Sequence, residues 1–265
     1  MADEEVLAGG GVNHVVRVGD TVRRPAGPWT PAVHVLLGHL AARGFAGAPR
    51  SHGIDEQGRE ILDFVPGLTA DCPLPGWARS DDALVAAGEL LRRYHDATAD
   101  FEAPPGAEWY FPAVSPAEVI CHGDVATYNC VFREGLPVAF IDFDTAHPGP
   151  RVWDVAYAAY RFVPLTDPRH ADGRPVEEQA RRLGLFAGAY GLGEEDRAAL
   201  VETARTRLEH LVRHMHERAA AGDEAFAGHV ARGDDVSYEC DLAHLTRHEA
   251  VLRRGLTCRS PRSGR

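Results

Sequence analysis

The stretch Cys121-His122-Gly123-Asp124-Val125-Ala126-Thr127-Tyr128-Asn129 is followed, twelve residues later, by Ile141-Asp142-Phe143-Asp144. Short apolar runs flank it, which predicts a loop between β-elements, with Asp124 and Asn129 on the loop and Asp142 at the end of a neighbouring strand. One carboxylate can orient an attacking hydroxyl, while an amide oxygen and a second carboxylate can hold Mg²⁺, a hard cation, on nucleotide phosphates. The pattern indicates phosphoryl transfer. The alternative is a set of unrelated turn residues, because Asp, Asn and Gly also populate turns for backbone reasons.

At these residues the chain resembles the aminoglycoside phosphotransferase family, the small-molecule relatives of the eukaryotic protein kinases. The His-Gly-Asp-x-x-x-x-Asn loop of the family falls on residues 122–129, its Ile-Asp-aromatic segment on 141–143, and a later family Asp on Asp154. The resemblance covers most of the chain. It implies an α+β, two-lobed protein-kinase-like fold, with a small N-terminal antiparallel-sheet lobe and a larger, mostly helical C-terminal lobe.

The resemblance also implies roles for single residues, with ATP and Mg²⁺ as cofactors. Asp124 would be the catalytic base, and Asn129 and Asp142 would bind the metal. His122 would support the catalytic loop, and Asp154 would brace it from the start of a helix in the C-terminal lobe.

Residues 1–66 predict the N-terminal nucleotide-binding lobe. Within it, 12–18 and 21–24 read as two strands joined by a Gly19-Asp20 turn. The glycines at 9–11 could let backbone N–H groups approach phosphates, or could belong to a flexible leader.

An amphipathic helix is predicted over residues 31–43, with Thr30 as its N-cap, Pro31 in its first turn and Gly44 at its end. Its apolar face consists of Val33, Leu36, Leu37 and Leu40.

Residues 60–65 predict an apolar strand ended by Pro66-Gly67. In a kinase-like fold its end is the hinge, where the backbone of Asp63, Phe64 and Val65 would bind adenine. An ordinary interior strand would show the same pattern.

The phosphate-binding lysine of kinases stands on the third strand and pairs with a Glu on the next helix. This chain has Arg23-Arg24 there, and no acidic residue in the helix at 31–43. Arginine can bind two phosphate oxygens without a partner to orient it. Strand alternation lets only one of the two arginines face the cleft. We expect Arg24 to do so, because Val22 then shares its face.

Residues 67–257 predict the catalytic and substrate-binding lobe, in which Ser80 caps a helix that runs to Thr98. His95, near the end of that helix, is expected to be a core histidine rather than a ligand. Later helices are predicted near 153–162, 176–191, 194–221 and 237–254. The basic segment 258–265 is predicted to be a disordered tail.

The composition excludes several classes of protein. The chain has 265 residues, 45% hydrophobic and 25% charged, which are ordinary globular values. No apolar run is long enough to span a bilayer. The formal charge of −11 argues against nucleic acid as a partner. Five scattered cysteines without a CxxC pair indicate neither a disulfide framework nor a zinc site, so a reducing cytoplasm is expected.

The sequence therefore predicts a cytoplasmic small-molecule O-phosphotransferase acting on an aminoglycoside or another hydroxylated amine, with antibiotic resistance as one role. Asp144 could face the metal, meet a substrate amine or cap a turn. A cationic acceptor is expected from the acidic charge. Acids that could meet its ammonium groups are Asp144, Glu177, Glu178, Asp234, Asp235, Glu239 and Asp241.

Other functions stay open at this point. The first is a kinase for choline, a sugar or another metabolite. The second is a nucleotide-binding pseudoenzyme, because the usual Lys and helix Glu are missing. A metal-dependent hydrolase using the same Asp residues is a third, although it would need more ligands than this loop offers.

Overall fold

The N-terminal lobe is a five-stranded antiparallel sheet with one helix against it. The structure is a computed structural model that describes residues 4–7, 15–170 and 172–257. The glycine run at 9–11 and the tail at 258–265 lie outside the described residues. The strands have the order β1-β2-β3-β5-β4. Their bounds are Glu5–Val6 (β1), Val16–Val18 (β2), Thr21–Pro25 (β3), Ser51–Ile54 (β4) and Arg59–Asp63 (β5).

The predicted hairpin is present, with β2 and β3 antiparallel around a Gly19 at φ +62°. On its other side β3 pairs with β5, which brings Arg24 directly opposite Glu60. The two short strands β1 and β4 were not predicted, and β5 ends at Asp63 rather than at residue 65.

The helix α1 (Thr30–Ala42) packs its predicted apolar face into the core. The prediction of Thr30 as N-cap is wrong. The helix begins one residue earlier, with Trp29 at the cap position and no side-chain cap bond. The hydroxyl of Thr30 instead accepts a hydrogen bond from the N–H of Gly27 (2.9 Å), so it closes the preceding turn. Gly44 ends the helix with φ +71°, as expected.

The C-terminal lobe consists of six α-helices and two small antiparallel strand pairs among the described residues. Ser80 caps the first helix by accepting from the N–H of Ala83 (3.0 Å), as predicted. The helix bounds are Asp81–Thr98 (α2), Arg151–Phe162 (α3), Val176–Tyr190 (α4), Glu194–Ala220 (α5), Glu224–Arg232 (α6) and Asp234–Thr257 (α7). The helix α6 was not predicted, and α7 begins three residues before its predicted start.

The two strand pairs carry the loops of the candidate site. Their strands are Val119–Cys121 (β6) with His147–Gly149 (β9), and Cys130–Arg133 (β7) with Leu136–Phe140 (β8). The pairing of Cys130 with Phe140 places the start of β7 beside the end of β8. The loop after β6 and the turn after β8 therefore meet at one end of these strands.

The core is continuous between the two lobes. Leu37 and Leu62 of the sheet lobe belong to the same buried cluster as Leu91, Phe140 and Phe186 of the helical lobe. No helix within the described ranges is both long and apolar enough to cross a membrane.

Candidate active site

Asp154, on the first turn of α3, holds the start of the catalytic loop. Its carboxylate accepts hydrogen bonds from the backbone N–H groups of His122 (2.8 Å) and Gly123 (3.0 Å). It also meets Nε2 of His95 (3.1 Å), whose Nδ1 meets the hydroxyl of Tyr190 (2.7 Å). Burial alone would raise the pKa of Asp154, but the hydrogen bond and charge of His95, and those of His122, lower it to about 2. Burial lowers the pKa of His95, which is fully enclosed.

Gly123 allows the loop to turn. Its φ of +84° lies in the left-handed region, and a Cβ there would collide with the carbonyl oxygen of Thr145. The hydroxyl of Thr145 donates to the carbonyl of His122 (3.1 Å). The catalytic loop and the segment after β8 are therefore in close backbone contact.

The ring of His122 joins the same two segments. The N–H of Asp124 donates to Nδ1 of His122 (3.3 Å), which assigns the ring proton to Nε2 and lets it donate to the carbonyl of Ile141 (3.0 Å). The ring packs against Phe143, with centroids 4.5 Å apart. His122 thus fixes Asp124 relative to Asp142, the residue after Ile141.

Asp124 is held through both of its carboxylate oxygens. The hydroxyl of Tyr128 donates to Oδ1 (2.8 Å), and Nδ2 of Asn129 donates to Oδ2 (2.9 Å). Burial raises the pKa of Asp124, opposed by the charge of Arg161 and by the Tyr128 hydrogen bond. A carboxylate with a raised pKa, fixed in a cleft, is suited to accept a proton.

Asp142 and Asn129 offer the oxygens of a magnesium site. Asp142 has φ +65° and ψ +67°, a left-handed conformation that is uncommon for a residue other than glycine and that turns the chain sharply after β8. The N–H of Ile141 donates to the carbonyl of Asn129 (2.9 Å), so the two candidate ligands are neighbours. The part of the chain that is described contains no group of three His, Cys, Asp or Glu residues able to hold a metal. Two hard oxygens fit Mg²⁺, which completes its shell with phosphates and water.

Arg24 binds three carboxylates and is itself 5% exposed. Its guanidinium meets Glu60 (2.5 Å), Asp142 (2.5 Å) and Asp144 (2.6 Å). Arg23 instead bonds the hydroxyl of Thr21 (2.6 Å), away from the cleft. Of the two arginines, Arg24 is therefore the one that faces Asp142 and Asp144.

Glu60 orients Arg24 from the neighbouring strand rather than from a helix. It is 1% exposed, and its second oxygen meets Nε2 of His34 on α1 (3.0 Å). The helix α1 is therefore linked to Arg24 through the imidazole of His34 and the carboxylate of Glu60. Burial, together with the charges of Asp142 and Glu60, raises the pKa of Asp144 to about 6 in spite of Arg24.

The hinge candidates have different surroundings. The N–H of Asp63 donates to the carbonyl of Arg50 (3.0 Å), and the N–H of Phe64 to that of Asp20 (2.8 Å). Neither N–H can therefore serve adenine without losing its present bond. The N–H of Val65 has no partner among the described residues.

Arg161, on the last turn of α3, lies over a group of tyrosines next to Asp124, the candidate base. Its guanidinium carbon is 4.8 Å from the ring centroid of Tyr128, 5.6 Å from Tyr160 and 5.9 Å from Tyr157. Each such contact contributes about 0.5–2 kcal/mol. No carboxylate among the described residues pairs with Arg161, and its Nε is buried without a hydrogen-bond partner.

Arg207, on α5, supports the loop from the other side. Its Nη2 donates to the carbonyl of Gly123, and its guanidinium lies 4.8 Å from the ring centroid of Tyr157 and 5.1 Å from that of Trp153. Arg161 and Arg207 thus flank Tyr157, so the surroundings of Asp124 on this side are cationic and aromatic.

Most acids predicted to meet a cationic acceptor are already engaged. Five of the seven lie next to a basic group of the protein itself: Asp144 with Arg24, Glu178 with Arg181, Asp234 with His229, Asp235 with His216, and Asp241 with His170. Asp241 also accepts from the hydroxyl of Tyr160 and is 2% exposed, so it belongs to the core.

Sequence reasoning missed Glu60, His34, Tyr128 and Arg161. A buried Glu amid apolar residues of β5 was a signal for the first, because such a charge needs a partner. Tyr128 could have been found from its position between Asp124 and Asn129. Nothing local indicated the surroundings of Arg161.

Comparisons with known proteins agree with this geometry. The model of the phosphotransferase enzyme family matches residues 107–201, which include the catalytic loop and Asp154. The trifolitoxin immunity protein of Rhizobium leguminosarum bv. trifolii is 36% identical over 235 residues, which is 85% of this chain and 88% of that protein. The chain belongs to the phosphotransferase enzyme family. The protein is a phosphotransferase that acts on a hydroxyl group.

Solved structures confirm the predicted fold. A choline/ethanolamine kinase family protein from Mesorhizobium loti has a TM-score of 0.62 at 15% identity, covering 96% of this chain and 93% of that one. The microcompartment-associated aminopropanol kinase has a TM-score of 0.63 at 14% identity, covering 96% and 94%. The GDP complex of wild-type aminoglycoside 2′-phosphotransferase-IIIa has a TM-score of 0.55 at 14% identity, covering 94% and 92%.

Proposed function

We propose that this protein is an ATP- and Mg²⁺-dependent kinase that phosphorylates a hydroxyl group of a small molecule. The observation that carries the proposal is the position of Asp124. It is fixed by Tyr128 and Asn129, and His122 links it to the segment of Asp142. One face of this arrangement meets the Arg24 cluster, and the other meets the tyrosines around Arg161.

Asp124 orients the acceptor hydroxyl and takes its proton. The hydroxyl oxygen forms a bond to the γ-phosphorus while the bond to the bridging oxygen breaks and ADP leaves. Because burial raises the pKa of Asp124, it is a stronger proton acceptor than an exposed carboxylate. Tyr128 and Asn129 hold the two oxygens so that the base stays in place.

The nucleotide binds on the Arg24 side. Arg24, steered by Glu60, would bind phosphate oxygens, and the free N–H of Val65 at the hinge would meet the adenine edge. Asn129 and Asp142 would hold Mg²⁺, which neutralises charge on the phosphates. We assign Asp144 to this side as well, because its carboxylate pairs with Arg24.

The acceptor is a small hydroxylated molecule. The similar folds of aminoglycoside, ethanolamine and aminopropanol kinases support hydroxylated amines as the first acceptors to test. The name of the relative from Rhizobium supports a protective role, in which a toxic compound is phosphorylated. The cysteines Cys72, Cys121, Cys130 and Cys240 are all free, which fits the cytoplasm.

A first experiment tests the metal and the nucleotide. Calorimetry with ATP should show much tighter binding in Mg²⁺ than in EDTA, and Asp142→Ala should remove most of the difference. The matched control is Asp82→Ala, which changes an exposed residue of α2. Equal binding of ATP in EDTA would refute the metal assignment.

A second experiment separates catalysis from binding. Asp124→Asn should keep the affinity for ATP within a few fold and lower turnover by roughly 10²–10⁴, the usual contribution of a positioned base. Slow ATP hydrolysis that disappears in Asp124→Asn would exclude a pseudoenzyme. No γ-phosphate transfer or hydrolysis in the natural protein would favour the pseudoenzyme.

A further inference from the structure

The guanidinium of Arg161 lies among aromatic rings and has no anionic partner within the described residues. Its contacts are the faces of Tyr128, Tyr157 and Tyr160, and it has no ion pair among the described residues. Aromatic faces attract a guanidinium but do not accept its N–H bonds in the plane of the fork. The buried Nε therefore keeps an unused donor. The buried arginines Arg24 and Arg182 have carboxylate partners, and Arg207, which also lies over rings, donates to the carbonyl of Gly123.

The same guanidinium adjoins the catalytic base. Tyr128 donates its hydroxyl to Asp124 and offers its ring face to Arg161, so a single side chain separates the base from the cation. Arg161 is only partly buried, and Cys72 and Tyr238, which surround it, are not buried either. A molecule whose hydroxyl reaches Asp124 can therefore extend toward Arg161.

We propose that the acceptor carries a carboxylate in addition to its hydroxyl, and that Arg161 binds this carboxylate and so determines specificity. A guanidinium presents two parallel N–H donors that match a carboxylate. The acceptor class is thus a hydroxy acid, most simply a hydroxy amino acid, which still contains the amine expected from the fold relatives. This inference rests on the proposed function, since it names the substrate class of the same site.

A purely structural Arg161 is the competing explanation. It sits in the last turn of α3, where a positive charge is favourable, and its ring contacts stabilise it there. Such a residue would affect folding, or all acceptors equally. A role in specificity would instead change the preference between two acceptors that differ only in a carboxylate.

The test uses three matched pairs of acceptors of increasing length. They are ethanolamine with L-serine, 1-amino-2-propanol with L-threonine, and 3-amino-1-propanol with L-homoserine. The kcat/KM of phosphate transfer, and binding by calorimetry in the presence of Mg²⁺ and a non-hydrolysable ATP analogue, are measured for both members of each pair. The ratio within a pair cancels any effect on the common chemistry or on folding.

We expect the carboxylated member of at least one pair to be preferred by roughly 10–100-fold, the range of a charge-assisted hydrogen-bonded pair. Arg161→Met should abolish that preference, mainly through KM, and Arg161→Lys should restore part of it. Arg254→Met, which removes an exposed arginine of α7, should leave the ratio unchanged.

The other possible results each contradict either the acceptor class or the proposed function. Three results would overturn the inference. They are a preference for the amine without carboxylate, a ratio that is unchanged in Arg161→Met, and no binding of any carboxylated member. If those results accompany Asp124-dependent ATP hydrolysis, the proposed function stands and only the acceptor class fails. If carboxylated members bind through Arg161 but no phosphate is transferred, Arg161 still defines the class of ligand, and the proposed function fails.

Discussion

Arg24 is oriented by a carboxylate that lies on a neighbouring strand rather than on a helix. In protein kinases a lysine is oriented by a glutamate on a helix. Here the orienting carboxylate is Glu60, directly across the sheet, and the helix contributes His34 behind it. Because Glu60 and Arg24 are both buried, each needs the other to offset the cost of leaving water. In the proposed nucleotide site, Glu60 would therefore take the place of the missing helix Glu.

Glu60→Gln tests this pairing at the level of stability. We expect the free energy of unfolding to fall by about 1–3 kcal/mol, less than for a buried pair that is broken outright, because Arg24 keeps two other carboxylates. Urea unfolding measures the change, and Glu56→Gln in the exposed β4–β5 turn is the matched control. A loss no larger than that of the control would show that Arg24 needs no partner on β5.

Asp154→Asn tests the brace of the catalytic loop. Asparagine keeps one acceptor but replaces the other with a donor, so one of the N–H groups of His122 or Gly123 loses its partner. We expect kcat to fall by roughly 10–100-fold, as for other residues that orient catalytic groups, with the KM for ATP changed much less. Steady-state kinetics beside Asp96→Asn, an exposed residue of α2, gives the comparison. A KM effect alone would contradict the role of a brace.

At the scale of elements, a helix was predicted with the correct limits where its capping residue and its apolar face both indicated the same segment. Ser80 with the apolar positions of α2 gave that helix its correct limits. The helix α6 was missed although Asp223 caps it by accepting from the N–H groups of Ala225 and Phe226; it has only nine residues, and none of them is buried. Thr30 has the right residue type for an N-cap, but its hydroxyl meets Gly27 in the preceding turn.

The candidate site was predictable to the extent that it lies on one continuous loop. Asp124, Asn129 and Asp142 are close along the chain, and their spacing carried the prediction. Glu60 reaches Arg24 only through strand register, and Arg161 reaches Tyr128 only through the packing of α3 on the loop. Contacts of this kind depend on the assembled fold, so a single sequence does not reveal them.

The segment between α2 and β6 packs on α5 through rings, and this contact should be sensitive to acid. Phe111 lies 5.3 Å from His210 and 4.9 Å from His214, between ring centroids. Burial and the nearby charge of Arg207 lower the pKa of His210 to about 4. An unfolded histidine binds its proton near pH 6.5. From pH 6.5 down to 4 the unfolded state therefore holds more protons, and stability falls as pH falls.

His210→Phe should weaken this dependence. We expect the slope of unfolding free energy against pH to become shallower between pH 6.5 and 4, by at most about 1.4 kcal/mol per pH unit. Solvent screening at this half-buried ring reduces the effect. Urea unfolding at four pH values measures the slope, with His248→Phe on α7 as control. An unchanged slope would assign the acid sensitivity to other groups.

At the scale of the whole molecule, the formal charge of −11 should act on diffusing substrates. The charge field attracts a cationic acceptor, and salt screens such attraction beyond about 8–10 Å. We expect kcat/KM for ethanolamine to fall as salt rises, and that for zwitterionic L-serine to fall less. Glycerol, a neutral acceptor, is the control in the same buffers. Equal salt sensitivity of all three would rule out steering by net charge.

The guanidinium of Arg24 has a consequence for how ligands arrive together. Its three carboxylates come from both lobes, so the cleft is bridged before any nucleotide enters. If a triphosphate binds at Arg24 as proposed, it must displace Asp142 and Asp144 from the guanidinium, and the charges of these two carboxylates then repel it. A divalent cation that arrives alone must compete with Arg24 for the same oxygens. The nucleotide releases the carboxylates that would bind the metal, and the metal releases the arginine that would bind the phosphates. The two ligands should therefore bind cooperatively.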